Sequence, residues 1–398
     1  MAVRHRLSAF LAACCVLLVA ACSSPSGPGG PTTAPTGTTA EPTTAQPTTP
    51  APTTTGPCDQ QTVLASWDTT RLAEQTVVIP VNETEVSSIT DEIEDGAGGV
   101  ILFGSSAPSN LGSALATLVG HAPGGIAPFV MTDEEGGSVQ RMANLVGDVP
   151  SARTMAATMT AAQIRQLAKQ TATKMRHYGV TMDLAPVLDL DDRPGPNANN
   201  PDGSRSFSKK ESVAEADGLA FAAGLQDGGV IPVVKHFPGL GGSVGNTDNV
   251  AAATLPWSTL EQDGLLPFAA AIRAGVPAVM VANATVPGLS DTTPASLSPD
   301  VIMGVLRGQL HFDGLVITDS LSATAIQSAG YDVPHATVAA LAAGADMILF
   351  TSTSVATQTR HIVQAIVAAV NAGTLSRSRL EDAVNHILSV KKIDLCGR

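Results

Sequence analysis

The chain is 398 residues long, 44% hydrophobic but only 3% aromatic, with a formal net charge of −13. Its length suits one large domain or two small ones. The acidic balance argues against a polyanion such as nucleic acid as partner, and without a C-x-x-C pair or clustered histidines nothing points to a protein metal site.

Residues 1–22 open with Arg4, His5 and Arg6, run through an apolar stretch from Leu7 to Ala21, and end at Cys22. A basic start and a short apolar core read as an export signal, too short for an ordinary spanning helix. Val19-Ala20-Ala21-Cys22 resembles a bacterial lipobox, which implies cleavage before Cys22 and lipidation of its thiol. An ordinary signal cut nearby is the alternative. Residues 23–57 are almost all Pro, Thr, Gly, Ser and Ala. Such a composition cannot bury enough apolar surface to offset chain entropy, so it predicts a disordered, extended tether. Its threonines are open to glycosylation, with a bare spacer as the alternative. The folded body is expected over residues 58–398.

Within that body, short apolar runs recur at Gln75–Pro80, Gly99–Gly104, Ala127–Asp133, Val180–Leu190, Val230–His236, Ala278–Asn283, Gly314–Asp319 and Asp346–Thr351. Each is apolar on both faces, as a parallel strand covered by helices should be. Helical patterns separate the later runs, at Ala161–Tyr178, Ser212–Gln226, Thr259–Ala274, Pro299–Leu310, His335–Ala343 and Ser354–Ala372, and Ser376–Ile393 closes the chain. Eight strands alternating with helices predict a single-domain α/β fold, a (β/α)8 TIM barrel. A doubly wound open sheet is the alternative, weakened by the lack of G-x-G-x-x-G after the first strand and of a Walker A pattern. Only Cys58 and Cys396 remain beyond the signal and anchor cysteines. They lie at the two ends of the body, where a disulfide would clamp termini that a closed barrel brings together; two free thiols are the other reading.

A barrel builds its active site from the C-terminal ends of its strands. Those ends here carry Asp133-Glu134-Glu135, Asp189, Lys235-His236, Asn283 and Asp319-Ser320. Charged groups at the same end of so many strands converge on one pocket. Beyond Lys235-His236-Phe237-Pro238-Gly239 lies a glycine-rich stretch, Leu240 to Asn249, with one carboxylate, Asp248. A buried strand running into such a loop is how an enzyme floor meets its lid.

These segments resemble glycoside hydrolase family 3: Met131-Thr132-Asp133-Glu134-Glu135-Gly136-Gly137 with Gln140-Arg141, Leu184-Ala185-Pro186-Val187-Leu188-Asp189, Arg205-Ser206-Phe207, Lys235-His236-Phe237-Pro238-Gly239, Pro294-Ala295-Ser296-Leu297-Ser298 and Phe312-Asp313-Gly314 through Asp319-Ser320-Leu321-Ser322. They are most similar to its single-barrel β-N-acetylglucosaminidase branch, and the export signal and tether look like actinobacterial lipoproteins of that branch. The resemblance implies that Asp319 is the nucleophile of a retaining mechanism; on position alone, Asp319 could instead cap the following turn. It implies that Asp133, Arg141, Arg205, Lys235 and His236 hold the sugar, the alternative being a rim salt-bridge network. Glu135 reads as a rim group rather than a catalytic one.

Two positions depart from the family. Ser138 stands where many relatives have Arg. More seriously, Asn246-Thr247-Asp248 occupies the place of an Asp-Ser-His triplet whose His is the general acid/base. Asp248 is then the candidate acid/base, with a plain lid-turn residue as the alternative. An unperturbed Asp is largely ionised at neutral pH and a poor acid. The resemblance implies an exo-acting retaining β-N-acetylglucosaminidase that needs no cofactor. It would act as a monomer on GlcNAc-ended peptidoglycan fragments or muropeptides, lipid-anchored to the outer face of the cell membrane. A phosphorylase using phosphate as acceptor, and a sugar-binding lipoprotein that has lost catalysis, are the competing readings.

Overall fold

The structure, a computed structural model, describes residues 58–397. The export signal, the lipidation site Cys22 and the tether expected over residues 23–57 lie outside the described residues. Among the described residues no helix is long and apolar enough to cross a membrane.

Eight parallel strands form one sheet: β1 (Val77–Asn82), β2 (Gly99–Phe103), β3 (Phe129–Thr132), β4 (Met182–Asp183), β5 (Ile231–Phe237), β6 (Ala278–Val281), β7 (Leu315–Thr318) and β8 (Ile348–Leu349). They run in chain order, β8 pairs with β1, and a bridge between Ile317 and Met347 joins β7 to β8. The sheet therefore closes into the (β/α)8 TIM barrel that the alternation of elements predicts. Each of the eight apolar runs overlaps one strand, with β1 and β5 continuing past the ends of their runs to Asn82 and Phe237.

Successive side chains on a strand point to opposite faces, and that alternation divides the core in two. Val78, Ile101, Met131, Val233, Met280 and Ile317 fill the barrel interior with Leu184 and Met347. Their neighbours Val77, Ile79, Val100, Leu102, Val130 and Val279 pack outward against the helices. This is why the runs read as continuously apolar rather than alternating.

The helices Ala161–His177, Glu211–Asp227, Val333–Ala343, Val355–Ala372 and Arg377–Lys391 fall where the 3.6-residue pattern puts them. Thr160 starts the first with a reciprocal capping box to Gln163. Two expected helices differ in kind. The segment 259–274 is interrupted by wider turns at Leu260–Gly264, closed by Leu265 N–H to Leu260 C=O, before continuing as Leu266–Arg273. Asp300–Gln309 is wound throughout in such i→i+5 turns. Apolar spacing reports which face is buried, and it does not resolve one winding from the other. Cys58 and Cys396 stand disulfide-bonded across 338 residues of chain, with their Cα atoms 5.6 Å apart.

Candidate active site

The C-terminal ends of the strands surround a pocket of about 460 Å3 lined by Asp133, Glu135, Arg141, Arg205, Lys235, His236, Asp248 and Asp319. Every catalytic and sugar-holding residue expected from the sequence is among them, together with Glu135. A cleft of about 560 Å3 lies elsewhere on the barrel, and this pocket is distinguished by its chemistry rather than its size.

Lys235 and His236 leave β5 where its pairing with β6 slips between Val234 and Phe237. A bulge re-aims side chains, and here consecutive residues both reach the pocket. The Lys235–His236 and Phe237–Pro238 peptides are cis. Lys235 is 2% exposed, so its ammonium must be paired. Its Nζ lies 2.8 Å from Asp133 Oδ1 and 2.6 Å from Glu135 Oε1. Burial lowers the Lys235 pKa, but Asp133 and Glu135 outweigh it and raise the pKa above the usual lysine value.

Glu135 also takes a two-point contact from Arg205, whose Nε and Nη2 each lie 2.8 Å from one carboxylate oxygen. Burial pushes Glu135 up, yet Arg205 and Lys235 hold it well below the usual carboxylate range. Lys235 and Arg141 do the same for Asp133 against its own burial, although the Arg141 contact is looser, at 3.5 Å. Arg205 thus has a rim salt-bridge partner, Glu135, beside the pocket. Arg205 sits at the end of the turn Gly203–Arg205. Gly203, at φ +55°, is required there, because a Cβ would come within 2.0 Å of the Gly195 backbone.

Arg141 is placed by Glu134, a buried carboxylate with no access to the pocket. Glu134 accepts the main-chain N–H groups of Arg141 and Met142 at 2.8 and 3.1 Å and the Gln140 amide at 2.8 Å. That explains three consecutive acidic residues after β3: Asp133 and Glu135 face the pocket, and Glu134 ties down its rim.

His236 is oriented from beneath. Its Nδ1 lies 2.6 Å from Asp189 Oδ2, and Asp189 also accepts the main-chain N–H groups of His236 and Leu240. Arg205 Nη2 stands 3.5 Å from Nε2. A guanidinium only donates, so Nε2 is the accepting nitrogen and Nδ1 carries the proton. Burial, then the Arg205 charge, pushes the His236 pKa down to about 4, which keeps the ring neutral near pH 7. Asp202, fully buried beside Asp189, completes the group. Burial, then the neighbouring Asp189, pushes its pKa well above the usual carboxylate range.

Asp189, Asp202 and His236 are the one set of potential metal ligands that converge among the described residues. The short Nδ1–Oδ2 hydrogen bond and the adjacent Arg205 cation make the group a hydrogen-bonded support for the imidazole and oppose a second cation. Sequence reasoning missed Asp202 and the supporting role of Asp189. The only signal for Asp202 was its place three residues before Arg205.

Asp319 follows β7 directly. Its Oδ1 accepts the Ser320 amide at 2.7 Å, and among the described residues no hydrogen bond reaches Oδ2. Burial raises its pKa, His236 opposes, and Asp248 adds to the rise. Asn283 and Ser296 fix the turn beyond it: Ser296 Oγ donates to Asn283 Oδ1, and Asn283 Nδ2 donates to the Ser320 carbonyl, each at 2.7 Å. Asp248 sits on the lid, with an exposed side chain. Its backbone is held, since Thr324 Oγ1 donates to the Asp248 carbonyl at 2.8 Å and the Ala325 amide to that of Thr247 at 3.0 Å.

The family described as "Glycosyl hydrolase family 3 N terminal domain" matches residues 73–390. The chain is 34% identical over 400 residues to the beta-hexosaminidase LpqI of Mycobacterium tuberculosis, covering 99% of each. Among solved structures it is similar to a family 3 glycosyl hydrolase from Mycobacterium smegmatis, at 33% identity and TM-score 0.75, over 84% of this chain and 98% of that one. It is also similar to a family 3 beta-N-acetylglucosaminidase from Paenibacillus sp. str. FPU-7, at 31% identity and TM-score 0.76, over 82% of this chain and 62% of that one.

Proposed function

Because this chain belongs to glycoside hydrolase family 3, we propose that it is a retaining exo-β-N-acetylglucosaminidase with Asp319 as its nucleophile. The observation that carries the reading is one pocket holding Asp319, whose second oxygen makes no hydrogen bond among the described residues, beside the Asp133–Lys235–Glu135–Arg205 network. A closed floor of about 460 Å3 ringed by fixed donors and acceptors suits the terminal sugar of a chain rather than its interior.

In this mechanism Asp133 accepts from the sugar's hydroxyls while Lys235 and the accepting Nε2 of His236 meet adjacent ones. Their ion pairs hold them in place before the substrate arrives, so little ordering remains to be done on binding. Asp319, ionised, attacks the anomeric carbon. The C–O bond to the leaving group breaks, and the glycosyl–Asp319 ester forms. Asp248, reaching over from the lid, protonates the leaving oxygen and then takes a proton from a water, whose oxygen bonds to the anomeric carbon as the bond to Asp319 breaks and frees its carboxylate. Its exposure fits a group that acts at the pocket mouth, where the leaving group departs.

The substrates we propose are GlcNAc-ended peptidoglycan fragments and muropeptides. The enzyme would work as a monomer tethered through residues 23–57 to a lipidated Cys22 on the outer face of the membrane, with 58–398 as its catalytic domain. Support for that placement comes from the lipobox-like Val19–Cys22 and the Pro/Thr-rich composition that follows.

Release of phenol from an aryl β-N-acetylglucosaminide, with the anomer of the first-formed sugar read by NMR, tests the reading. The expected product is the β-anomer of free GlcNAc. An α-anomer first product would overturn the retaining mechanism. Sugar 1-phosphate formed only when phosphate is present would transfer the assignment to a phosphorylase. No release above that of an Asp319→Asn control would leave a sugar-binding protein.

A further inference from the structure

A second cleft, of about 560 Å3, lies on the outside of the barrel between the helices Thr69–Gln75, Thr90–Asp95 and Val355–Ala372. Its lining includes Val77, the first residue of β1, and Ala97, which precedes β2. It therefore belongs to the N-terminal ends of the strands, away from the catalytic pocket at their C-terminal ends.

Four carboxylates line it, Glu74, Asp91, Glu92 and Asp95, against a single guanidinium, Arg360. None of the four has a salt-bridge partner among the described residues. Glu92 is 6% exposed, and its Oε2 has no hydrogen-bond partner. Across the cleft, Thr359 Oγ1 is likewise without one. A buried polar atom left without a partner costs free energy comparable to a lost hydrogen bond, and two such atoms in one cleft point to something that completes them. The field has the same sense. Burial, then Asp95 and Asp68, raises the Glu74 pKa to about 7; burial, with Asp91 and Asp95, raises that of Glu92 against Arg360.

The geometry narrows what that something is. An inorganic cation needs several oxygens gathered around one point, and the carboxylates of this cleft do not gather in threes within 4.8 Å. The cleft is instead partly apolar, with Ala97, Val363 and Val367 lining it beside the charges. Residues 23–57 contain no Lys or Arg.

We propose that this cleft is a second binding site, for an aliphatic primary amine. The methylenes of a diamine or a lysine-like side chain would lie along Ala97, Val363 and Val367, and its ammonium group would meet Glu92 and the flanking carboxylates.

Titration of the full chain with 1,5-diaminopentane in a calorimeter tests this. Saturable binding of one molecule per chain is expected, absent with 1-pentanol and unaffected by equimolar calcium. Glu92→Gln should weaken it about tenfold or more, the scale of a charged hydrogen bond. Ala368→Phe, which puts a ring into the cleft from an exposed position, should do the same by obstruction, so the result does not hang on how one buried carboxylate affects folding. Both variants should hydrolyse the aryl glycoside at the original rate. Tighter binding of a lysine-bearing peptide than of the diamine would place the amine on a peptide, and the reverse on a free amine. Binding unchanged in both variants, or displacement of the amine by calcium, would overturn the proposal.

Discussion

Two pockets of this barrel are rich in carboxylates, and they treat them in opposite ways. At the C-terminal ends of the strands, Asp133 and Glu135 are buried beside Lys235, Arg205 and Arg141 and are held below their usual pKa. At the N-terminal ends, Glu74 and Glu92 face mostly other carboxylates and are pushed above theirs. Burial raises all four; what differs is whether a cation lies within ion-pair distance. A carboxylate-rich pocket with built-in cations is ready to receive a neutral, hydroxyl-bearing ligand, because its charges are already balanced. One without them is left needing a cation from outside. Asp319 stands between the two cases: it is raised like the distal carboxylates but lies among the cations of the catalytic pocket.

That intermediate position carries the largest effect expected. Asp319→Asn keeps shape and hydrogen bonding but removes the attacking charge, and kcat should fall by about 10^4-fold or more. The acidic limb of the wild-type kcat/KM profile should lie above the ordinary aspartate range, because the group must be ionised to attack and its pKa is raised. An acidic limb at or below that range would break the link between burial of Asp319 and activity.

Lys235→Met attacks the comparison directly by removing the central cation. Asp133 and Glu135 are then left buried and under-neutralised, which should cost about 3–5 kcal/mol of stability and about 100-fold in kcat/KM through lost positioning. Adding Glu135→Gln should restore part of the stability but little of the activity. Denaturant unfolding of the single and double variants checks both parts. Purely additive losses would mean that the pairing does not set the character of the pocket.

Much of this was legible in the sequence, and the exceptions have physical causes. The strands could be read because parallel strands buried on both faces leave uninterrupted runs such as Val230–Val234. Lys235, His236 and Asp319 could be read because a polar residue ending such a run has few other places to go. Asp202 could not. It lies in a loop without periodicity, and its meaning depends on the fold bringing it to Asp189 and His236, which no spacing records. The distal cleft was equally hidden, because its helices Thr69–Gln75 and Thr90–Asp95 are seven and six residues long. Segments under two turns are made helical by packing rather than by their own propensity, and they leave only a faint pattern. Glu135 fell between the two: its place at a strand end was visible, but its two-point contact with Arg205 was not.

Asp248 tests the comparison from the mouth of the catalytic pocket, where a carboxylate has neither burial nor an ion-pair partner among the described residues. Asp248→Ala should slow a substrate with a poor leaving group by about 10^2–10^3-fold, within the usual range for acid catalysis, and one with a nitrophenol leaving group far less. Equal losses on both would remove Asp248 from the acid role and leave it a lid residue.

The smallest effect is expected at the distal pocket, and its sign is fixed by linkage. Glu74 is raised from 4.5 to about 7 in the fold, so between those values the unfolded chain ionises more readily than the folded one. Its carboxylate therefore imposes no penalty below pH 4.5, a growing one as pH rises, and its full penalty above pH 7. Glu74→Gln removes that burden. The variant should match the wild type at pH 4 and exceed it at pH 8 by about 1 kcal/mol, once solvent screening of a half-buried group is allowed for, or about 2 °C in Tm for a domain of this size. Saturating diaminopentane should narrow that gap at pH 8, because an ammonium group in the cleft supplies the charge that the wild type lacks and glutamine no longer needs. A constant difference between the two proteins across pH 4 to 8 would mean that Glu74 acts through packing alone, and the contrast between the two pockets would then reduce to one of burial.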